Sequence, residues 1–292
     1  MGRPENLSSH AEQVMDYGVA IFSTEYTVRP DVLGRMLEER GFESLWLPEH
    51  THIPTSRRTP FPDGPILPEE YKHTFDPFVA LTAAALATSR LKVATGICLV
   101  VERDPIITAK QVATLDLLSN GRFIFGIGGG WLVEEMENHG TGSLMRWRIL
   151  RERILAMKEI WTRDEAEFHG EFVNFDKILS YPKPLQKPHP PIILGAGGSA
   201  TLDRVAEFCD GWIPIAPIPA NIAEQVAALR RRAEAADRNP DSISVSFYDA
   251  APRRAVIDQL ESAGVGRVVF LLPSAGRETV LPRLDEYATL MR

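Results

Sequence analysis

The chain has 292 residues, of which 44% are hydrophobic and 24% are charged, and its formal net charge is −7. This balance is that of globular domains that bury a full core, and the negative charge argues against a nucleic-acid binder, which usually has a basic face. Two cysteines, Cys98 and Cys209, are too few for a disulfide framework and indicate a reducing, cytoplasmic setting. Residues 1–13 read as a polar leader without a secretory signal, and no stretch is apolar enough to span a membrane.

Short β-rich runs alternate with helical patterns along the whole chain. Residues 17–22 are the first predicted strand, and the helix that follows begins at Pro30 and ends at Gly41. The later units combine predicted strands at 44–47, 91–97, 122–127, 191–194, 211–215, 242–247 and 267–272 with helices at 76–89, 105–119, 146–161, 199–209, 221–236, 253–263 and 277–290. Eight such units predict an α/β protein, a single (β/α)8 TIM barrel domain over residues 14–292, with a doubly wound open sheet as the alternative.

Two stretches interrupt this alternation and are longer than the connections usual in a compact domain. Residues 54–74 are rich in proline and charge and follow the second strand, so we expect them to form a lid over the carboxyl end of the barrel. Residues 167–191 begin with a hairpin-like alternation around His169 and Gly170 and continue into a proline-rich run. TIM barrels carry their active sites at the carboxyl ends of the strands, where such insertions collect.

An acid and two histidines directly follow the second predicted strand, in the sequence LWLPEHTH. Histidine exchanges protons near neutral pH, so His50 is a candidate acid/base residue, and Glu49 would orient its ring or bind a ligand hydroxyl. The alternative is a loop histidine that caps a helix or is merely solvated. His52 points toward the lid in this interpretation and is a candidate substrate-side group.

Glycine-rich turns follow the third and fourth predicted strands. The third strand ends in Thr95-Gly96-Ile97, where glycine permits either a bulge beside a ligand or a tight bend. The fourth strand continues into GIGGGW, residues 126–131, which offers exposed backbone N–H groups and room for a flat ligand. Trp131 occupies the place of the third glycine in a dinucleotide fingerprint, so that motif is not matched.

The turn after the fifth strand, GAGGSA at residues 195–200, does fit the pattern G-x-G-x-x-A between a strand and a helix. The next strand ends in Ala216-Pro217 without the acid that a nicotinamide site needs, so dinucleotide binding is disfavoured. Glycine backbone before a helix N-terminus, with Ser199 as N-cap or extra donor, still predicts a phosphate site. A plain tight turn is the alternative.

The remaining patterns are weaker. No histidine pair has the spacing of a metal site, and no nucleophile elbow occurs. Arg57, Arg58 and Lys72 in the lid would suit an anionic substrate or cofactor tail, or they are ordinary solvated charges. The sequence therefore predicts a small-molecule site without a metal.

Four long motifs occur in an order typical of one family: GFESLWLPEH, DPFVALTAAALATSRLKVATGICLV, RDPIITAKQVATLDLLSNGRFIFGIGGGW and PPIILGAGGSATLDRVAEFCDGW. Over residues 14–215 the chain resembles the luciferase-like monooxygenase superfamily, and within it the deazaflavin (coenzyme F420)-dependent oxidoreductases. The resemblance implies a (β/α)8 barrel that holds a flavin-like ring at its carboxyl-terminal mouth. It also implies that a hydride passes to or from that ring.

The resemblance assigns expected roles. In sugar-phosphate and alcohol dehydrogenases of this type an acid–histidine pair follows strand two, which places His50 as the acid/base residue and Glu49 as a catalytic acid beside the cofactor. A bulge that often contains a non-proline cis peptide falls near Gly96-Ile97. The implied cofactor contacts are Glu49, Thr95, Gly96, Ile97, Gly129, Gly130, Glu134, Gly195, Ala196, Gly197, Gly198 and Ser199.

Two departures from the family pattern bear on the substrate. Trp131 stands where the sugar-phosphate dehydrogenases carry a catalytic acid, and the loop after Gly140 reads TGSLMRWRILRER in place of a Pro-Phe and basic run. The expected function is hydride transfer between coenzyme F420 and a small organic substrate, in a possible homodimer. The alternatives are a reduced-FMN monooxygenase on the same barrel and a cofactor-binding barrel without turnover.

Overall fold

A computed structural model of the protein describes residues 15–291, and the predicted leader, residues 1–13, lies outside this part. Its strands are β1 (Asp16–Ala20), β2 (Ser44–Leu47), β3 (Lys92–Thr95), β4 (Phe123–Ile127), β5 (Glu165–His169), β6 (Asn174–Leu179), β7 (Ile192–Leu194), β8 (Gly211–Trp212), β9 (Ser244–Tyr248) and β10 (Arg267–Leu271). Eight of them close a parallel barrel in the order β1-β10-β9-β8-β7-β4-β3-β2. The predicted TIM barrel is confirmed, and the open sheet is wrong.

Helices alternate with the barrel strands along the chain. They are α1 (Pro30–Glu39), α2 (Pro77–Leu86), α3 (Pro105–Leu118), α4 (Val133–Asn138), α5 (Arg146–Thr162), α6 (Ser199–Phe208), α7 (Ile222–Ala235), α8 (Arg254–Ser262) and α9 (Arg277–Ala288). Two begin at a proline behind an aspartate cap: Asp76 accepts from the Val79 N–H and Asp104 from the Ile107 N–H. The short helix α4 was not predicted. Within the described residues, no helix is long and apolar enough to cross a membrane.

Each barrel strand, or the residue after it, contributes one side chain to the barrel interior. These residues are Ala20, Trp46, Ala94, Ile124, Ile193, Ile213, Tyr248 and Val269. Trp46 is fully buried there, and its indole needs a glycine neighbour: a Cβ at position 18 would lie 2.9 Å from its Nε1. The interior is thus a packed floor rather than a pore, and a ligand must bind above it.

The two insertions take different forms. β5 and β6 pair as an antiparallel hairpin, which confirms the hairpin expected near His169 and Gly170. Glu152 on α5 holds its turn by accepting hydrogen bonds from the N–H groups of residues 171–173. Residues 54–74 contain one short 3-10 turn, Glu69–Lys72, and reach over the carboxyl ends of the strands, where Tyr71 contacts His50 and Trp131.

Candidate active site

A cavity of about 400 Å³ opens at the carboxyl ends of the barrel strands, within the size range of small-molecule sites. Every barrel strand supplies at least one lining residue from its end or the loop that follows. In strand order along the chain, these include Phe22, His50, Ile97, Gly129, Ala196, Ile215, Tyr248 and Leu271. The cavity therefore lies where TIM barrels place their chemistry.

His50 lines this cavity and is held from behind by a buried carboxylate. Its Nδ1 lies 2.6 Å from Oε2 of Glu135 on α4, and the exposed fractions of the two side chains are 7% and 1%. The second oxygen of Glu135 accepts from the Thr51 N–H at 2.9 Å. Because a carboxylate can only accept, Nδ1 carries the proton, and Nε2 is the nitrogen left for a ligand.

Glu49 also lines the cavity, but both of its oxygens already have partners. Oε2 accepts from the Leu99 N–H at 2.7 Å, and Oε1 accepts from Nε of Arg103 at 2.7 Å and also from its Nη2. The Arg103 guanidinium lies over the Phe78 ring, 4.9 Å from its centroid. Glu49 thus ties the end of β2 to the loop after β3 as part of a paired charge.

The loop after β3 brings its backbone close to β4, and the Gly96–Ile97 peptide bond is cis, as the resemblance implies. Three glycines make room for this arrangement. A Cβ at Gly126 would lie 2.0 Å from the Thr95 carbonyl, and Cβ atoms at Gly128 and Gly195 would lie 2.6 and 2.7 Å from Ile97 side-chain atoms. These glycines thus let Ile97 sit at the cavity floor between two loops.

The turn after β7 divides into a part inside the cavity and a part outside. Gly195 and Ala196 line the cavity. A Cβ at Gly197 or Gly198 would meet nothing within 4 Å, so the backbone there faces open space. Helix α6 begins at Ser199 behind Gly198, whose φ is +88°, and no side chain caps it. Its first N–H groups are available to an anion.

Comparison with known proteins places this geometry in a family. The sequence pattern of the luciferase-like monooxygenases matches residues 15–252. The chain belongs to this family. An uncharacterised Mycobacterium tuberculosis (strain H37Rv) protein is 36% identical over 280 residues, 94% of this chain and 98% of its own length. An FMNH2-dependent dimethylsulfone monooxygenase of Pseudomonas putida is 36% identical over 156 residues, 52% of this chain and 43% of that protein.

Solved structures share the fold of this luciferase-like chain. The monooxygenase RslO1 from Streptomyces bottropensis superimposes with a TM-score of 0.77 at 20% identity, over 94% of this chain and 98% of its own. An F420-dependent secondary alcohol dehydrogenase, solved with an F420–acetone adduct, gives a TM-score of 0.76 at 17% identity, over 95% and 99%. At these identities the likeness is one of fold.

Most of the predicted site residues of this family lie together. Glu49, His50, Gly96, Ile97, Gly129, Gly130, Gly195 and Ala196 all line the cavity. Thr95 does not: it is buried, and its hydroxyl donates to the Gly126 carbonyl at 2.6 Å. Ser199 is the first residue of α6 rather than its N-cap, and its hydroxyl accepts from Nη2 of Arg232 at 2.8 Å.

Glu134 anchors the lid and does not line the cavity. Its Oε1 accepts from the backbone N–H groups of Arg58 and Thr59 at 2.6 and 3.0 Å. His52 also lies away from the cavity, where its Nε2 lies 2.8 Å from the amide nitrogen of Asn138. The neighbouring acid, Glu135, is the one that reaches His50. The pair Glu134-Glu135 was visible in the sequence, but only the short helix α4 determines which of the two faces His50.

Other residues of the site were not predicted. Aromatic side chains surround His50: the ring centroid of Tyr71 lies 5.2 Å from that of His50, and Trp131 lies 5.9 Å away. Behind Gly130, Glu102 is buried, and burial together with the charges of Glu135 and Glu49 raises its pKa to about 9. The sequence did not indicate that Glu102 belongs to the site, because an acid in a short loop is expected to be exposed to solvent.

Proposed function

We propose that the protein is an enzyme that transfers a hydride between coenzyme F420 and a small organic substrate, with His50 as the acid/base residue. The observation that carries the proposal is the His50–Glu135 pair, which presents one oriented imidazole nitrogen to a cavity with a glycine-rich floor. Positioned proton transfer of this kind accompanies hydride transfer at an alcohol or carbonyl carbon.

The residues present fit a flat deazaflavin. Gly96, Ile97 and the backbone of Gly129 and Gly130 offer a low surface without projecting polar side chains. The open backbone at Gly197 and Gly198, before the uncapped α6, suits the anionic arm of such a cofactor. When bound, a deazaflavin supplies the carbon that accepts or donates the hydride.

The protein's own groups would hold the substrate and move a proton. His50 Nε2 would take the proton of a substrate hydroxyl in oxidation, or return it in reduction, while Glu135 stabilises the resulting imidazolium at Nδ1. Glu49, paired with Arg103, would keep the loop after β3 in place rather than exchange protons. The lid and the aromatic side chains would exclude water from the reacting atoms.

The family membership and the full-length likeness to an F420-dependent alcohol dehydrogenase support this proposal. A second candidate is an FMNH2-dependent monooxygenase. The identity of 36% to a dimethylsulfone monooxygenase over about half of the chain favours it. A cofactor-binding barrel without turnover is the third possibility.

A pair of titrations separates the first two candidates. The purified full-length protein is titrated with F420 and with FMN, each oxidised and reduced, and binding is followed by fluorescence. We expect saturable binding of F420 and a much weaker response to FMN. Tight FMN binding, with oxygen uptake in the presence of reduced FMN, would contradict the proposal and support the monooxygenase.

A second experiment tests the role of His50. An alcohol and ketone panel is screened for F420 reduction or oxidation, and the best substrate is used with His50→Gln. We expect the hydride-transfer rate to fall by about 100-fold or more, with F420 affinity retained. His169→Gln on the exposed hairpin is the matched control. An unchanged rate in His50→Gln would remove His50 from the mechanism, and F420 binding without turnover on any substrate would favour the third possibility.

Three further expectations stay predictions. They are a single domain over residues 14–292, a homodimer and a cytoplasmic location. Size-exclusion chromatography with light scattering would measure the oligomeric state directly.

A further inference from the structure

One side of the cavity carries two acids without partners. Asp63 comes from the lid, and Asp249 follows β9, so the two reach the cavity from different parts of the chain. Among the described residues, neither carboxylate forms an ion pair or a hydrogen bond with a side chain. Asp63 is exposed, whereas Asp249 is partly buried. A partly desolvated carboxylate is usually paired, so the missing partner of Asp249 requires an explanation.

The other ionisable residues of the lining already have partners inside the protein. Glu49 is paired with Arg103, and Nδ1 of His50 with Glu135. Within residues 15–291, the lining contains no lysine or arginine. Asp63 and Asp249 therefore give the ligand side of the cavity a net negative field that no neighbouring side chain offsets.

The pKa of Asp249 is consistent with a net negative charge on this side of the cavity. Burial, and then the negative charge of Asp63, raise the pKa of Asp249, and no cation acts against them. Burial and the charges of Asp63, Glu70 and Asp249 also raise the pKa of Tyr71 to about 12. Both shifts thus come from burial and from neighbouring negative charges, and no cation contributes to either one.

Aromatic faces and a free hydroxyl complete this part of the site. Phe22, Tyr71 and Trp131 line the cavity near His50, and the centroids of Phe22 and Tyr71 are 4.5 Å apart. Tyr248 is buried, and its hydroxyl has no hydrogen-bond partner in the described part of the chain. Aromatic faces next to carboxylates are the surroundings in which organic cations bind.

We propose that this end of the cavity selects small organic cations, amines or quaternary ammonium groups on an apolar frame, and disfavours carboxylates and phosphates. Asp63 and Asp249 would supply the counter-charge, while Phe22, Tyr71 and Trp131 would contact the apolar frame. The proposal names the substrate class of the site and rests on the proposed function only for the statement that the ligand is a substrate.

Three ring compounds of nearly equal size test the charge preference: benzylamine, which is protonated at neutral pH, benzyl alcohol and benzoate. Each is titrated by calorimetry into the full-length protein, alone and with the cofactor that the preceding titrations identify. We expect benzylamine to bind about tenfold more tightly than benzyl alcohol and benzoate to bind most weakly. Equal or tighter binding of benzyl alcohol or benzoate would overturn the proposal, as would no binding of benzylamine at millimolar concentration.

Variants assign the preference to the two acids. Asp63→Asn and Asp249→Asn should each weaken benzylamine binding about three- to tenfold and leave benzyl alcohol binding within about twofold. Asp63 is an exposed lid residue, so Asp63→Asn tests the proposal even if Asp249→Asn does not fold. Asp176→Asn, at an exposed position on β6, is the matched control and should change neither affinity. A cation preference that survives in both variants would contradict the assignment.

This experiment is independent of the proposed redox activity because it measures binding without turnover. If benzylamine is preferred but F420 does not bind, the proposed function fails and the substrate class stands. If F420 binds and reacts but benzoate is preferred, the substrate class fails and the proposed function stands.

Discussion

The carboxylate of Glu135 determines which nitrogen of His50 faces the cavity. A histidine without such a partner rotates and exchanges its tautomer, so only a fraction of molecules would present a basic nitrogen to the substrate. The 2.6 Å contact to Nδ1 removes that freedom, and the Thr51 N–H holds the carboxylate itself in place. We therefore infer that Glu135 acts through His50 as a positioning residue.

Replacing Glu135 by glutamine tests this role. We expect Glu135→Gln to lower the hydride-transfer rate constant by about 10- to 100-fold, because the amide neither stabilises an imidazolium nor fixes the tautomer. KM and the F420 dissociation constant should change by less than about threefold, and Glu135→Asp should recover part of the rate. Glu159→Gln, at a partly exposed position on α5 away from the cavity, is the control. Equal losses in rate and in cofactor affinity would indicate a structural role instead.

At the scale of the elements, α4 connects the lid to the site. Glu134 binds the backbone of the lid at Arg58 and Thr59, and its neighbour Glu135 binds His50. Desolvation opposes the ionisation of Glu134, but hydrogen bonds from backbone N–H groups, including those of Arg58 and Thr59, lower its pKa to about 2. The carboxylate is therefore ionised at neutral pH and anchors the lid at Arg58 and Thr59.

Removing this anchor should loosen the lid. In Glu134→Ala we expect trypsin to cleave after Arg57 or Arg58 about tenfold faster than in the wild type, because two charge-assisted hydrogen bonds to the backbone are lost. Glu137→Ala is the matched comparison: Glu137 contacts only the exposed Arg58 guanidinium, so its effect should stay below about threefold. The measurement is limited proteolysis of the folded protein with the cleavage site identified by mass spectrometry. Equal cleavage rates in both variants would show that Glu134 does not hold the lid.

The sequence predicted the elements well where their signals are local. Pro77 and Pro105 at helix starts and buried four- or five-residue runs such as Ser44–Leu47 marked the helices and strands that the structure contains. Helix α4 was missed because six residues with four polar side chains have no clear helical period. Gly129, in the loop before α4, packs closely against the Trp147 ring on α5, a contact between a loop and a distant helix that no local pattern encodes.

At the scale of the whole molecule, barrel closure explains which part of the site was predictable. The carboxyl ends of all parallel strands meet at one face, so His50, Gly96 and Gly195 could be placed together from their positions in the chain. Closure of the barrel does not determine which loops contact each other at the carboxyl ends of the strands. Asp63 and Asp249 meet only because the lid after β2 reaches the end of β9, and Glu135 meets His50 only through α4.

The buried Glu102 makes the stability of the whole fold depend on pH. Its pKa is raised from 4.5 to about 9 by burial and by the charges of Glu135 and Glu49. The unfolded chain therefore releases the Glu102 proton near pH 4.5, whereas the folded protein keeps it until about pH 9. Between these values the unfolded state binds fewer protons, so this group lowers the free energy of unfolding as the pH rises.

Replacing Glu102 by glutamine, which is neutral at every pH, should remove this dependence. From pH 5 to pH 9 we expect the free energy of unfolding of the wild type to fall relative to Glu102→Gln, by at most about 1.4 kcal/mol per pH unit. Urea unfolding at pH 5, 7 and 9 measures the difference, and Glu224→Gln at an exposed position on α7 should follow the wild type. Parallel curves for Glu102→Gln and the wild type would mean that Glu102 ionises in the folded protein at its ordinary pH. Glu102 would then be negatively charged at neutral pH, in addition to the nearby Glu135 and Glu49.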